Sequence, residues 1–374
     1  MSKIWADNFC LDKFKSEGFN LLLLDASPIF STQDEIHRYG TSVDDYIYKA
    51  DNSFQIKSFC ELNEFVEKLN YNTDIIWIIN RFTIANGFRN DDLVIFNRHK
   101  IRYFTGQDFL IPQKKPKKTE CNTIRYCKNI LHYHLSALHY LIKNRSLKPT
   151  FVIGSGNVAR EQAKAKTPQM GDYVSLPSLN ILWDEVKPLL KKDHIVYVDE
   201  VAVFSPDIAL LGGERPVKSA ERFHKNLNNL FKKIEDLMEL PIVISTSGKF
   251  HYKENPFEGR EIIYSKTQEL IKYSQMVIGH KSSGLEQAII DRKPVLQVMD
   301  GEFIDIKNQM ICQHASFYFN QDAYWSNEIE KGDIKTIQQV DQKYLQQIEY
   351  DYFREQGLTG SFFANLNNYL SKLN

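Results

Sequence analysis

The residues of this 374-residue chain with the means to do chemistry gather in three polar clusters, each directly behind a short apolar run. Ile195-Val196-Tyr197-Val198 leads into Asp199-Glu200, Pro241-Ile242-Val243-Ile244 into Ser245-Thr246-Ser247-Gly248-Lys249, and Met276-Val277-Ile278-Gly279 into His280-Lys281-Ser282-Ser283-Gly284. A carboxylate at an apolar strand end is partly desolvated, which raises its pKa toward the range of a general base; the alternative is that Asp199 merely caps a loop. Ser282 and Ser283 stand where the chain turns into the segment Leu285-Glu286-Gln287-Ala288-Ile289-Ile290. Hydroxyls, free backbone N–H groups and the positive end of a helix there suit a phosphate, and His280 and Lys281 add more than a plain serine cap of about 1 kcal/mol requires. A fourth cluster, Gly154-Ser155-Gly156-Asn157, follows Phe151-Val152-Ile153. Ala159 takes the place of a third glycine and no acidic partner is identifiable, so it reads as a close-approach turn lining an interdomain cleft rather than a dinucleotide fingerprint.

The elements that must position these clusters follow from the pattern of apolar runs. Short runs alternate with segments of helical period, which is the signature of α/β architecture with parallel sheets. Ligands then bind beyond the carboxyl ends of the strands, where all the clusters lie. Strands are expected at 20–25, 74–80, 93–96 and 150–153, and a helix at 123–143. From 194 the alternation is regular: strands at 194–198, 241–245, 276–279 and 294–299, helices at 219–238, 267–274 and 284–292. In the helix at 219–238, Phe223, Leu227, Leu230, Phe231, Ile234 and Leu237 form one apolar stripe. Length predicts about two domains, taken as 1–188 and 189–335 with a hinge near 184–193. Residues 336–374 read as terminal helices packing across both.

Several functions are excluded or left without an anchor. Lys+Arg and Asp+Glu both number 47, so there is no basic surplus for nucleic acid. No GxxxxGK[ST], HExxH, GxSxG or Asp-x-Asp occurs, which leaves P-loop, zincin, serine-hydrolase and metal-dependent sugar-transfer chemistry without a motif. Cys10, Cys60, Cys121, Cys127 and Cys312 form no CxxC pair and read as reduced thiols. His132, His134 and His139 cannot share a metal: on a helix the first two lie about 200° apart and the outer two about 10 Å apart. No leader-like or bilayer-length apolar stretch is present, which suggests a cytoplasmic location. The run Lys114-Lys115-Pro116-Lys117-Lys118 reads as a solvated loop or as a contact for anionic lipid at the membrane periphery.

Residues 194–300, with HIVYVDEVAVFSPD, FHKNLNNLFKKIE, PIVIST and MVIGHKSSGLEQAIIDRKPVLQV, resemble bacterial glycosyltransferases of surface-glycan assembly. Among these the stretch is most similar to the sialyltransferase-like group that uses CMP-activated acidic sugars: sialic, pseudaminic or legionaminic acid, or Kdo. The resemblance implies a GT-B fold, two Rossmann-like domains facing a cleft, and a metal-independent transferase with no cofactor. It also implies roles: Asp199 of the Asp199-Glu200 pair as base, and Ser282-Ser283 holding the CMP phosphate. Where that group has His-Pro, this chain has Ser245-Thr246-Ser247-Gly248-Lys249, and Ser205-Pro206-Asp207 keeps only a Pro-Asp half. Thr246, Ser247, and Lys249 or His251 are then the candidates to contact the nucleotide, with His280 or Lys281 screening the leaving group. The implied partners are a nucleotide sugar and a glycan or glycolipid acceptor. The alternatives are a transferase with a UDP-sugar, GDP-sugar or CDP-polyol donor, and a silent module that binds glycan. An epimerase would need more carboxylates than the crevice supplies.

Overall fold

The structure, a computed structural model, describes residues 16, 18, 22–25, 53–56, 58–69, 75–78, 102–106, 150–166, 171–179, 181–183, 186–191, 193–204, 216–247 and 251–373. Leu23–Asp25 (β1) and Ser53–Gln55 (β2) pair in parallel, and Phe59–Glu67 (α1) follows. Ile75–Ile78 (β3), Arg102–Gly106 (β4), Phe151–Gly154 (β5) and Asp172–Ser175 (β6) form a four-stranded parallel sheet in that order. Gly156–Lys166 (α2) connects β5 to β6. The strand expected at 93–96, the helix at 123–143 with its histidines, the 114–118 basic run and Cys10, Cys121 and Cys127 lie outside the described residues.

The second half alternates as its sequence pattern requires. Ile195–Asp199 (β7), Ala220–Met238 (α3), Ile242–Thr246 (β8) and Ile262–Tyr264 (β9) come first. Thr267–Tyr273 (α4), Met276–Gly279 (β10), Glu286–Ile290 (α5) and Val295–Met299 (β11) follow, then Asp305–His314 (α6), Tyr324–Trp325 (β12) and Lys331–Ile337 (α7). Gln342–Tyr352 (α8) and Phe362–Leu373 (α9) close the described chain. The six strands run parallel in the order β12-β11-β10-β7-β8-β9. The α/β class is therefore present in both sheets.

Burial explains why β7 has no polar alternation. Ile195 and Tyr197 pack on one face with Phe223, Leu227 and Phe231 of α3, while Val196 and Val198 pack on the other with Leu270, Ile271, Leu285 and Ile289. A strand covered on both faces must be apolar at every position, and each such side chain contributes about 2 kcal/mol. The Ser219 hydroxyl caps α3 by accepting the Arg222 N–H, and α3 ends on Glu239 in the left-handed region at φ 55.

α8 ties the two halves together, packing on both α2 and α5. Buried Glu349 accepts from Arg354 Nε at 2.6 Å and pairs with Arg292, and the Arg354 guanidinium lies 4.7 Å from the Trp183 ring centroid. Beyond α8, Arg160 meets Glu355 at 2.5 Å, and the Ser178 N–H donates to the Phe353 carbonyl at 2.8 Å. α9 then supplies Phe362, Phe363 and Leu366 to the core of the first sheet, against Phe151, Ile153, Val174 and Leu176.

Candidate active site

The order in which strands are added reverses between β10 and β7, because β8 and β9 step away on one side and β11 and β12 on the other. The crevice beyond the carboxyl ends at such a reversal is where open α/β sheets hold ligands. The ends of all three strands meet at this place: in register, Asp199 lies opposite Thr246 and Val198 opposite Gly279.

Asp199 ends β7 with both carboxyl oxygens engaged. The Val201 N–H donates to Oδ1 at 2.8 Å and the Tyr252 hydroxyl to Oδ2 at 2.6 Å. To deliver its N–H, Val201 adopts φ 54, a conformation that costs a β-branched residue about 1–3 kcal/mol. The side chain is 7% exposed, and burial raises its pKa from 3.8 to about 6, with the bonds from Tyr252 and Val201 pulling the other way. A carboxyl so placed is ionised at neutral pH yet close enough to it to accept and release a proton.

Glu200 turns to the β10 side. It accepts the Lys281 backbone N–H and pairs with Lys307 of α6, so it fastens the β10 turn to β7. Burial lowers the pKa of half-buried Lys281, and neighbouring Lys307 lowers it further. The turn itself is drawn tightly onto the sheet: a Cβ on Gly284 would lie 3.1 Å from Val198 and from Thr267. The Ser282 hydroxyl accepts the Gly284 N–H at 3.1 Å, and Ser283 is exposed. The expected helix at 284–292 is a single 3-10 turn, Ser283–Leu285, followed by the five residues of α5.

Other expected site residues occupy different roles. His280 is 0% exposed and lies within the core, not at the crevice surface. Its Nδ1 donates to the Val298 carbonyl at 2.6 Å, which leaves Nε2 to accept the Tyr197 hydroxyl at 3.0 Å. Burial depresses its pKa to about 3, so it is a neutral strut and reaches no ligand. Beneath it, Gln297 donates to the His280 carbonyl at 2.5 Å and to His314 Nδ1 at 2.9 Å. Ser245 is likewise internal, donating to Thr267 at 2.8 Å, whereas Ser247 is half-buried at the end of β8. Lys249 and the 205–207 segment lie outside the described residues.

The glycine turn after β5 does make a close approach, but to the chain itself. A Cβ on Gly156, at φ +75, would lie 2.5 Å from the Asp351 backbone, so the end of α8 fills the space expected of a cleft. Asn157 adds a 3.4 Å bond to the Asp351 carboxylate, and Ser155 is buried.

Tyr252 and Lys307 were not legible as site residues. Tyr252 lies in an aperiodic polar stretch 53 residues from Asp199, and Lys307 lies 107 residues from Glu200. Among the described residues, no three or more His, Cys, Asp or Glu side chains are placed to hold a metal ion, and no helix is long and apolar enough to cross a membrane.

No family model matches the sequence, and no curated protein matches it. Among solved structures the chain is similar to UDP-GlcNAc 2-epimerase from Methanocaldococcus jannaschii, at 9% identity over 99% of this chain and 97% of that one, with a TM-score of 0.45. It is also similar to spinosyn forosaminyltransferase SpnP, at 11% identity over 96% and 92% with a TM-score of 0.43. A third is MurG from Acinetobacter baumannii, at 7% identity over 97% and 93% with a TM-score of 0.39. At that level of likeness nothing about ligand or reaction passes from them to this chain.

Proposed function

We propose that this protein is a glycosyltransferase of GT-B type that moves a sugar from a nucleotide-sugar donor to a glycan or glycolipid acceptor. The observation that carries the reading is the pairing, at the reversal point of one parallel sheet, of a buried carboxyl poised at about 6 with a serine turn on the adjacent strand. The donor's phosphate lies at the Ser282–Gly284 turn, where the Ser282 and Ser283 hydroxyls donate to it and Lys281 and Lys307 offset its charge. Asp199 takes the proton of the acceptor hydroxyl as that oxygen bonds to the anomeric carbon. The bond from the anomeric carbon to the phosphate oxygen breaks, and the nucleotide leaves with the electron pair. Hydrogen bonds fixed in advance at the phosphate oppose the charge as it develops.

The donor is proposed to be a CMP-activated acidic sugar, on the strength of the motifs at 199–200 and 282–283. The test is calorimetric titration with CMP, UDP, GDP and CDP of the wild type and of a Ser282→Ala/Ser283→Ala variant. Binding of CMP alone, lost in the variant, supports the donor and the phosphate site together. Tighter binding of UDP or GDP, again lost in the variant, replaces the donor and keeps the site. Absence of binding to any of the four by folded protein overturns the transferase reading in favour of a module that does not turn over nucleotide sugars.

A further inference from the structure

We propose that Tyr252 is a positioning residue for Asp199, holding its carboxylate in one orientation and keeping it ionised, through the hydroxyl bond to Oδ2. The role rests on the reading of Asp199 as the base. Oδ1 receives the Val201 N–H at 2.8 Å, so Tyr252 fixes the second oxygen and with it the plane of the group. What remains is lone-pair density on a carboxylate that cannot rotate without breaking one of the two bonds.

The ring that carries this hydroxyl is itself set among three other rings. Its centroid lies 5.5 Å from that of Phe257, 6.2 Å from Phe204 and 6.5 Å from His224. The Tyr252 N–H also donates to the Tyr264 hydroxyl of β9 at 3.3 Å, which fastens the β8–β9 connection at the point where it crosses Asp199. The titratable groups facing the pair are Glu200 beside Asp199, Tyr197 on β7, Tyr264 on β9 and His224 on α3; Glu200 is paired with Lys307 of α6. Burial pushes the Tyr252 phenol well above its usual value, and the Asp199 charge pushes it further, so it stays protonated and serves as a donor across the working range. Burial opposes ionisation of Asp199, and the Tyr252 bond opposes that effect.

Tyr252→Phe keeps the ring and its neighbours and removes the donor alone. A hydrogen bond to a charged group is worth about one to two pH units in the acceptor's titration. The Asp199 midpoint, followed by carbon-13 NMR of aspartate-labelled protein and assigned with Asp199→Asn, is therefore expected to rise from about 6 to roughly 7–8. Transfer at pH 7 then falls about two- to tenfold and recovers above pH 9, whereas a merely structural defect lowers it at every pH. Incorporation of 3,5-difluorotyrosine at position 252, a stronger donor, moves the midpoint down. An unchanged midpoint in both proteins, each with its native circular dichroism, overturns the proposal. The NMR titration needs no turnover, so expected shifts without sugar transfer would uphold the hold on Asp199 and defeat the transferase reading separately.

Discussion

Replacing Asp199 by asparagine is expected to make the protein more stable at neutral pH while abolishing transfer. The folded-state pKa of about 6 lies above the ordinary 3.8, so between those values the folded chain binds a proton that the unfolded chain has released. Stability from this group is complete below 3.8 and is lost as pH rises through about 6. At 1.36 kcal/mol per pH unit, ionising the buried carboxyl costs about 3 kcal/mol of folding free energy at pH 7.5. Asparagine removes that cost but disturbs one of the two bonds from Val201 and Tyr252, a loss of about 1 kcal/mol. The variant should therefore exceed wild type by about 2 kcal/mol at pH 7.5 and fall about 0.5 kcal/mol below it near pH 4. Urea unfolding followed by circular dichroism at several pH values measures the difference, in which every other titrating group cancels. A difference that stays flat between pH 4 and 8 would refute the assignment of a strained ionisation to Asp199. So would a variant less stable than wild type at pH 7.5.

Two further outcomes test how the halves are joined. Glu349→Ala leaves Arg292 and Arg354, whose side chains are 23% and 30% exposed, without their shared carboxylate; a loss of about 3 kcal/mol is expected, read as a lowered urea midpoint, with earlier proteolytic cleavage near 340–355. Gly156→Ala places a methyl 2.5 Å from the Asp351 backbone at φ +75, and should cost more than the about 1–2 kcal/mol of the left-handed conformation alone. Gly357→Ala, at φ +83 with nothing within 4 Å of its Cβ, gives that backbone cost by itself and is the control in the same unfolding assay.

The second sheet was largely readable from the residues because its strands are apolar on both faces and its helices on one. The run at 276–279 forms a strand with the expected bounds, and α3 begins at Ala220 with Ser219 as its cap. The short strands β9 and β12 at the sheet margins have no apolar alternation, and β12 is two residues long, so nothing local marks them. The same limit applies at the site. Asp199 and Ser282 could be singled out because strand ends are polar where chains turn. His280 was misread for the same reason: its partners, Tyr197 and the Val298 carbonyl, belong to flanking strands, and only pairing of β10 between β7 and β11 reveals that its ring points into the core. The glycines at 154–156 mark a close approach, but residue type does not say whether the approaching group is a ligand or the chain's own helix, which here lies against Gly156.

The packing of α9 on the first sheet has a consequence for how the chain is made. Phe151, Ile153, Val174 and Leu176 share a core with Phe362, Phe363 and Leu366, residues that a ribosome adds roughly two hundred positions later, or roughly 10–40 s at ordinary synthesis rates. For that interval these four side chains lack the cover that α9 gives them. The core of the first sheet is thereby completed only after α9 has been made, so synthesis and completion of this half are separated in time.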